Sequence, residues 1–161
     1  MIPLQILQTF LVHFLQRDNV CKIFQTAHNL GLIQLKENCL QYLQSTIENV
    51  TDFGNLSPEM MEEIVSSDDL EVSELKLFEI IKSWSKVYAT KTDIPPHNFC
   101  KPICRHLRLG LLKPDEISKL EEENKKDNII SVSAKQICSL NIFHFLVSRQ
   151  VRLERRSWTI I

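Results

Sequence analysis

Residues 52–84, DFGNLSPEMMEEIVSSDDLEVSELKLFEIIKSW, decide the fold: they read as two capped helices joined by an acidic turn, with no recognisable reaction centre. Ser57 can accept a backbone hydrogen bond at a helix start, Pro58 stands where a missing N–H costs nothing, and Glu59 favours the positive end of the helix dipole. Met60, Met61, Ile64 and Val65 then form one apolar face. After the turn at 66–69, Val72-Ser73-Glu74 restarts a helix in which Leu77, Ile81, Trp84 and Tyr88 recur at spacings of four, three and four. That period predicts one buried stripe anchored by Trp84, with Glu79, Lys82 and Lys86 on the solvent side.

Upstream, a first helix is expected over 3–16 and a second over 20–30, separated by Gln16-Arg17-Asp18-Asn19, where Asp18 or Asn19 supplies the cap. Val20, Ile23, Phe24, Ala27 and Leu30 share a face, and Gly31 provides the left-handed position that commonly ends a helix. A third helix follows, with Leu32, Leu35, Cys39, Leu43 and Ile47 in register. So tight a connection makes an antiparallel hairpin, and its side chains offer neither a base-reading polar fork nor a basic face. Downstream of Trp84 the pattern frays. Residues 89–96, ATKTDIPP, carry a Pro pair that no helix interior accepts, and are expected to form the longest internal loop, a candidate contact or modification loop. Helix returns over 97–107, with Pro102 either close to a helix start or producing a kink. Another short helix opens at Pro114 and fades through Glu121-Glu122-Glu123-Asn124-Lys125-Lys126 into a solvated linker at 124–132. Residues 133–149 then form an amphipathic helix carrying Ile137, Leu140, Phe143, His144 and Val147, before a basic tail at 150–161 that alternates like a strand lacking its partner. No internal repeat of solenoid period stands out.

Taken as an ordered set, Phe53, Leu56-Ser57, Ser67-Asp68-Asp69-Leu70, Val72-Ser73-Glu74, Phe78 and Trp84 resemble the middle of the BACK domain, the helical module that follows a BTB/POZ domain in many cullin-dependent substrate adaptors. Asn19-Val20-Cys21, Ala27, Leu30, Leu35, Cys39 and Tyr42 look like the opening helix pair of such a module. Residues 104–114, CRHLRLGLLKP, look like its "VRLPLLSP" segment, with Gly110 where Pro is common. The resemblance covers 19–120, and the segment LEEENKKDNIISVSAKQI further resembles the end of short BTB-BACK proteins that carry no kelch propeller.

Composition agrees with a helical bundle. A chain of 161 residues can bury roughly 70% of its unfolded surface and needs no metal or disulfide staple. Hydrophobic residues make up 43%, with only three glycines, which excludes a largely disordered chain and disfavours a turn-rich β fold. A net charge of −1 removes the general electrostatic case for nucleic acid or an anionic membrane, so any such role must be local. The five cysteines, Cys21, Cys39, Cys100, Cys104 and Cys138, are odd in number and embedded in apolar helical patterns, as expected of reduced thiols in the cytosol or nucleus. Residues 1–15 are apolar but lack a basic start and a small-residue cleavage pattern, and are too short to span a bilayer. They are expected to pack as the first helix.

Four candidates for chemistry remain. His97, Cys100, Cys104 and His106 are zinc-type ligands within ten residues, but on a helix His106 points away from the other three and Pro102 disturbs the geometry. Cys21, close to a helix start, is the only thiol placed to be a nucleophile. The acidic runs at 68–69 and 121–123 read as turn and solvent-face residues, and no glycine-rich loop exists to cradle phosphate. Arg149, Arg152, Arg155 and Arg156 with Trp158 form a basic tail that reads as a solvated terminus.

The expectation is therefore an all-α protein of antiparallel helical hairpins, with an N-terminal helix at 1–18 as the remnant of the last BTB helices and a BACK-like domain at 19–123. No catalytic, cofactor-binding or metal-binding residue is assigned. The resemblance implies a non-enzymatic interaction scaffold in a cullin-based ubiquitin ligase. Its partners would be a cullin, engaged through a BTB-containing form, and a substrate protein, rather than nucleic acid or membrane. The first helix pair would extend the cullin contact. The chain begins with too few residues for a BTB fold and ends without kelch repeats, so it is expected as a truncated form in which dimerisation and autonomous cullin binding are lost. The contrasting reading is a small metal- or nucleic-acid-associated regulator built on His97, Cys100, Cys104, His106 and the basic tail.

Overall fold

The computed structural model describes residues 4–130. Among them are seven α-helices and no strand: α1 (Leu4–His13), α2 (Val20–Asn29), α3 (Ile33–Thr46), α4 (Pro58–Val65), α5 (Glu74–Thr92), α6 (Pro96–Cys104) and α7 (Pro114–Asp127), with 3-10 turns at Ile47–Asn49 and Leu109–Leu111. The all-α expectation holds. The C-terminal helix expected over 133–149 and the basic tail lie outside the described residues.

Local signals place most helix ends. Gly31 adopts φ +64° and the Leu32 N–H reaches back to the Ala27 carbonyl at 2.8 Å, so α2 closes on a left-handed residue and α3 starts at once. Ser57 and Ser73 cap α4 and α5 by accepting from the N–H groups of Met60 and Lys76. The cap expected before α2 takes another form. Asn19 occupies the position, but its side chain turns backward, accepting from the Gln16 N–H at 2.8 Å and donating to the Phe14 carbonyl at 2.7 Å. Its amide thus fastens the α1–α2 turn and not the helix start.

Two expectations about helix length are corrected. The supposed loop at 89–96 is helix as far as Thr92. Thr90 and Thr92 return their hydroxyls to the carbonyls of Lys86 and Tyr88, Tyr88 packs against Trp84 and Phe99, and no Pro intervenes before Pro95. Asp93, at φ 58°, ends the helix with its N–H on the Ala89 carbonyl, leaving only a short connection before Pro96 opens α6. Pro102 sits inside α6, where it supplies no N–H, and the helix ends two residues later. Likewise the run at 121–126 does not fade but continues α7 to Asp127. Beyond it, Asn124 accepts from the N–H groups of Ile129 and Ile130 and donates to the Ile130 carbonyl, which holds both isoleucines buried where a solvated linker was expected.

The buried apolar side chains form one cluster running from Val20 to Ile130. α3 packs against both α2 and α1, α6 lies against α4 and α5, and α7 lies against α5. The expected stripes are its substance: Leu35, Cys39 and Leu43 from α3 with Ile47 from the 3-10 turn that follows it, Met60, Met61, Ile64 and Val65 from α4, and Leu77, Ile81 and Trp84 from α5.

Candidate partner-binding surface

The motif residues are spent on packing. Trp84 is buried beside Phe99 and Tyr88, and its indole N–H donates to the Leu56 carbonyl at 3.1 Å, tying α5 to the loop before α4. Glu74, in the first turn of α5, is buried and accepts twice from Arg108: from the backbone N–H at 2.9 Å and from the side-chain Nε at 2.8 Å. That clasp fixes the 107–112 segment, whose Leu107, Leu109 and Leu112 enter the core. Sequence reasoning placed Glu74 only as a helix-start residue and gave Arg108 no role, because partners 34 residues apart leave no local signal. It also missed Lys82, assigned to the solvent side. Lys82 is largely covered and meets Glu123 at 3.0 Å and Asp127 at 3.2 Å, joining α5 to α7.

Among the described residues the candidates for chemistry are placed as follows. Cys21, Cys39, Cys100 and Cys104 are all buried and free. Burial pushes the Cys21 thiol up to about 12, with Asp52 and Cys39 adding to the effect. Desolvation likewise takes Cys39 and Cys104 to about 12, and Cys100 to about 11 against an opposing hydrogen bond with Ser85. Such thiols remain protonated, so Cys21 loses the exposure and low pKa that a nucleophile requires. Of the proposed zinc ligands, His97 is exposed, Cys100 and Cys104 face the core, and His106 meets Glu62 of α4 at 3.2 Å. Among the described residues no three His, Cys, Asp or Glu side chains converge as a metal-binding set. The basic tail lies outside the described residues.

Two apolar sites remain open to solvent among the described residues. α1 carries Leu11 and Val12 toward the core, while Ile6 and Phe10, together with Phe14 just past the helix end, are each more than half exposed and follow one another at intervals of four. The rings of Phe10 and Phe14 pack in a tilted arrangement with centroids 4.4 Å apart, and Ile6, Thr9, Phe10 and His13 border a shallow apolar depression. No Asp, Glu, Lys or Arg occurs in α1. A second exposed apolar site is the tip of the α2–α3 hairpin, where Leu30 and Ile33 flank Gly31 with about two thirds of their surface in solvent. Sequence reading found the hairpin but not its bare tip, since Leu30 fits the buried period of α2. Among the described residues no helix is long and apolar enough to cross a membrane.

Comparison with known proteins agrees with this architecture. Residues 20–122 match the family model described as BACK, BTB And C-terminal Kelch. The chain is 34% identical to BTB/POZ domain-containing protein 19 of Bos taurus over 153 residues, covering 73% of this chain and 53% of that protein. The Homo sapiens protein of the same name is also 34% identical over 153 residues, with the same coverage. BTB/POZ domain-containing protein 9 of Drosophila melanogaster is 25% identical over 114 residues, covering 69% of this chain and 15% of that protein. The chain thus spans about half the length of the first two relatives. No solved structure matches it significantly.

Proposed function

The chain belongs to the BACK family, and from that premise we propose that it is a non-enzymatic protein–protein interaction scaffold, the helical part of a BTB-BACK substrate adaptor for a cullin-based ubiquitin ligase. The observation that carries the reading is α1, uncharged and apolar on two sides, with Ile6, Phe10 and Phe14 left bare after the helix has packed on α3. It lies immediately before the span matched by the family model. In this reading residues 1–18 are the junction with a BTB/POZ unit, which covers the outer face of α1. The α2–α3 hairpin, with Leu30 and Ile33 at its tip, adds the remaining part of the cullin contact. The buried, unpaired thiols fit work in the cytosol or nucleus.

On this reading residues 1–161 bind a cullin weakly or not at all, because the hairpin alone supplies well under the roughly 1,200–2,000 Å² of a stable interface. A form extended by an intact BTB domain binds it. Calorimetry of both forms against a purified cullin N-terminal region tests this. Submicromolar binding by residues 1–161 alone shows the interface to be elsewhere, and binding by neither form sinks the adaptor reading.

A further inference from the structure

Charge is evenly mixed over the chain, with 19 Lys and Arg against 20 Asp and Glu, but not over every part of it. Between Asp93 and Asp115 the sequence holds Lys101, Arg105, Arg108 and Lys113 and no carboxylate. Three carboxylates from neighbouring helices reach into this segment and are already engaged: Glu62 of α4 with His106, Glu74 of α5 with Arg108, and Glu116 of α7 with the backbone N–H of Lys113. The remaining cations face outward. At 100° per residue, His97, Lys101 and Arg105 fall in one row along α6, and Arg105, which follows the helix directly, keeps helical dihedral angles. All three are exposed, while Phe99, Cys100, Ile103 and Cys104 occupy the buried side of the same helix.

We propose that this outer face of α6, with Lys101 and Arg105 at its centre, is a docking surface for an acidic segment of a partner protein. The physical case is electrostatic complementarity: a locally uncompensated pair of cations, held on a helix whose other side is locked into the core, steers and registers a negatively charged peptide. Polypeptide is favoured over nucleic acid because the whole chain carries a net −1 and so provides no extended positive field for a phosphate backbone. The surface is separate from α1 and the hairpin tip and does not depend on the cullin reading.

The test is fluorescence anisotropy of the full chain with a labelled Glu- and Asp-rich peptide, alongside a Gln- and Asn-substituted peptide and a single-stranded oligonucleotide of equal charge. The acidic peptide alone is expected to bind at about 50 mM salt and to weaken steeply by about 300 mM as the screening length shortens. K101E/R105E should lose about tenfold or more in affinity, since both central charges are reversed, whereas reversal at another exposed pair, K125E/K126E, leaves binding unchanged. If circular dichroism shows that K101E/R105E does not fold, K101Q/R105Q is read in its place. Unaltered binding in the α6 variant, equal loss in the α7 control, no binding by the acidic peptide at low salt, or tighter binding of the oligonucleotide would each overturn the proposal.

Discussion

The indole N–H of Trp84 donates to the main-chain carbonyl of Leu56 across 3.1 Å, so one side chain both fills the core and satisfies a buried acceptor on the loop that precedes α4. Trp84→Ala should cost about 3–5 kcal/mol, as expected for a large buried aromatic. Trp84→Phe keeps much of the packing but leaves the Leu56 carbonyl unpaired, and should cost about 1–3 kcal/mol. Urea unfolding of the two variants reads the difference. Equal midpoints for Trp84→Phe and wild type would mean that the hydrogen bond contributes nothing.

Glu74 and Arg108 make the second long-range tie, and their exposures differ: the Glu74 side chain is 8% exposed and that of Arg108 46%. Removing the buried acceptor should therefore hurt more than removing the half-exposed donor. Glu74→Ala leaves the Arg108 backbone N–H without its partner and should cost about 2–3 kcal/mol, below the full buried-pair range because Arg108 is partly hydrated. Arg108→Ala keeps that backbone bond and should cost about 1–2 kcal/mol. A double-mutant cycle measures the coupling; additive losses would show that the two groups do not act together.

These ties mark where sequence reading stops. The caps at Ser57 and Ser73, the left-handed Gly31 and the stripe Leu77, Ile81, Trp84 depend on neighbours within one or two turns, and all were legible in the chain. The length of α5 was not, because Ala89 to Thr92 is held by Tyr88 packing on Phe99, a residue of the next helix. The full extent of α7 was missed for the same reason: an acidic and basic run reads as solvated until Lys82 and Lys86 of α5 are seen to meet it. The exposed face of α1 is legible only as excess apolarity, since a sequence does not reveal which side of such a helix stays bare.

The α5–α7 clasp should give stability a defined pH profile. Burial alone would raise the Asp127 carboxyl, but the ammonium groups of Lys82 and Lys86, each 3.2 Å away, prevail and hold it below its ordinary value. For Lys82 burial opposes the charge, and Glu123 and Asp127 overcome it to lift the ammonium above its ordinary value. Asp127 binds its proton less readily when folded, so its contribution is present above the ordinary carboxylate value and is lost as pH falls through the depressed one. Lys82 behaves oppositely: its contribution is present below the ordinary lysine value and fades as pH rises through the raised one. Asp127→Asn should cost about 1–2 kcal/mol at neutral pH, between the surface and buried limits for ion pairs. The gap to wild type should begin to narrow below about pH 4, where the carboxylate of the unfolded chain gains its proton, and close as pH falls through the depressed folded value. A gap constant from neutrality into acid would refute the linkage.

Gly54 is required by close approach rather than by backbone conformation. A Cβ built there would lie 2.8 Å from Cγ1 of Val87 on α5, and Val87 is β-branched with little rotamer freedom in a helix. Gly54→Ala should destabilise by about 1 kcal/mol through this overpacking. Combined with Val87→Ala, which vacates the space, the same substitution should cost almost nothing or stabilise slightly by restricting the unfolded chain. Chemical denaturation of the four members of the cycle decides it; an equal penalty in both backgrounds would place the strain elsewhere.

The buried thiols make unfolding visible as chemistry. Cys21, Cys39, Cys100 and Cys104 are shielded from solvent and held as thiols to pH values of about 11 or 12, so a thiolate-selective alkylating reagent at neutral pH should find almost none of them reactive in the native protein. Denaturant should release all four at once if the single core opens cooperatively. Mass spectrometry after a short pulse of iodoacetamide, resolved by peptide, follows each site separately. Should Cys21 and Cys39 label well before Cys100 and Cys104, the α2–α3 hairpin opens independently of the α5–α6 core, as a contact element drawn from the less stable part of a fold would. Rapid native labelling of Cys21 alone would instead reinstate it as a reactive thiol and contradict its burial.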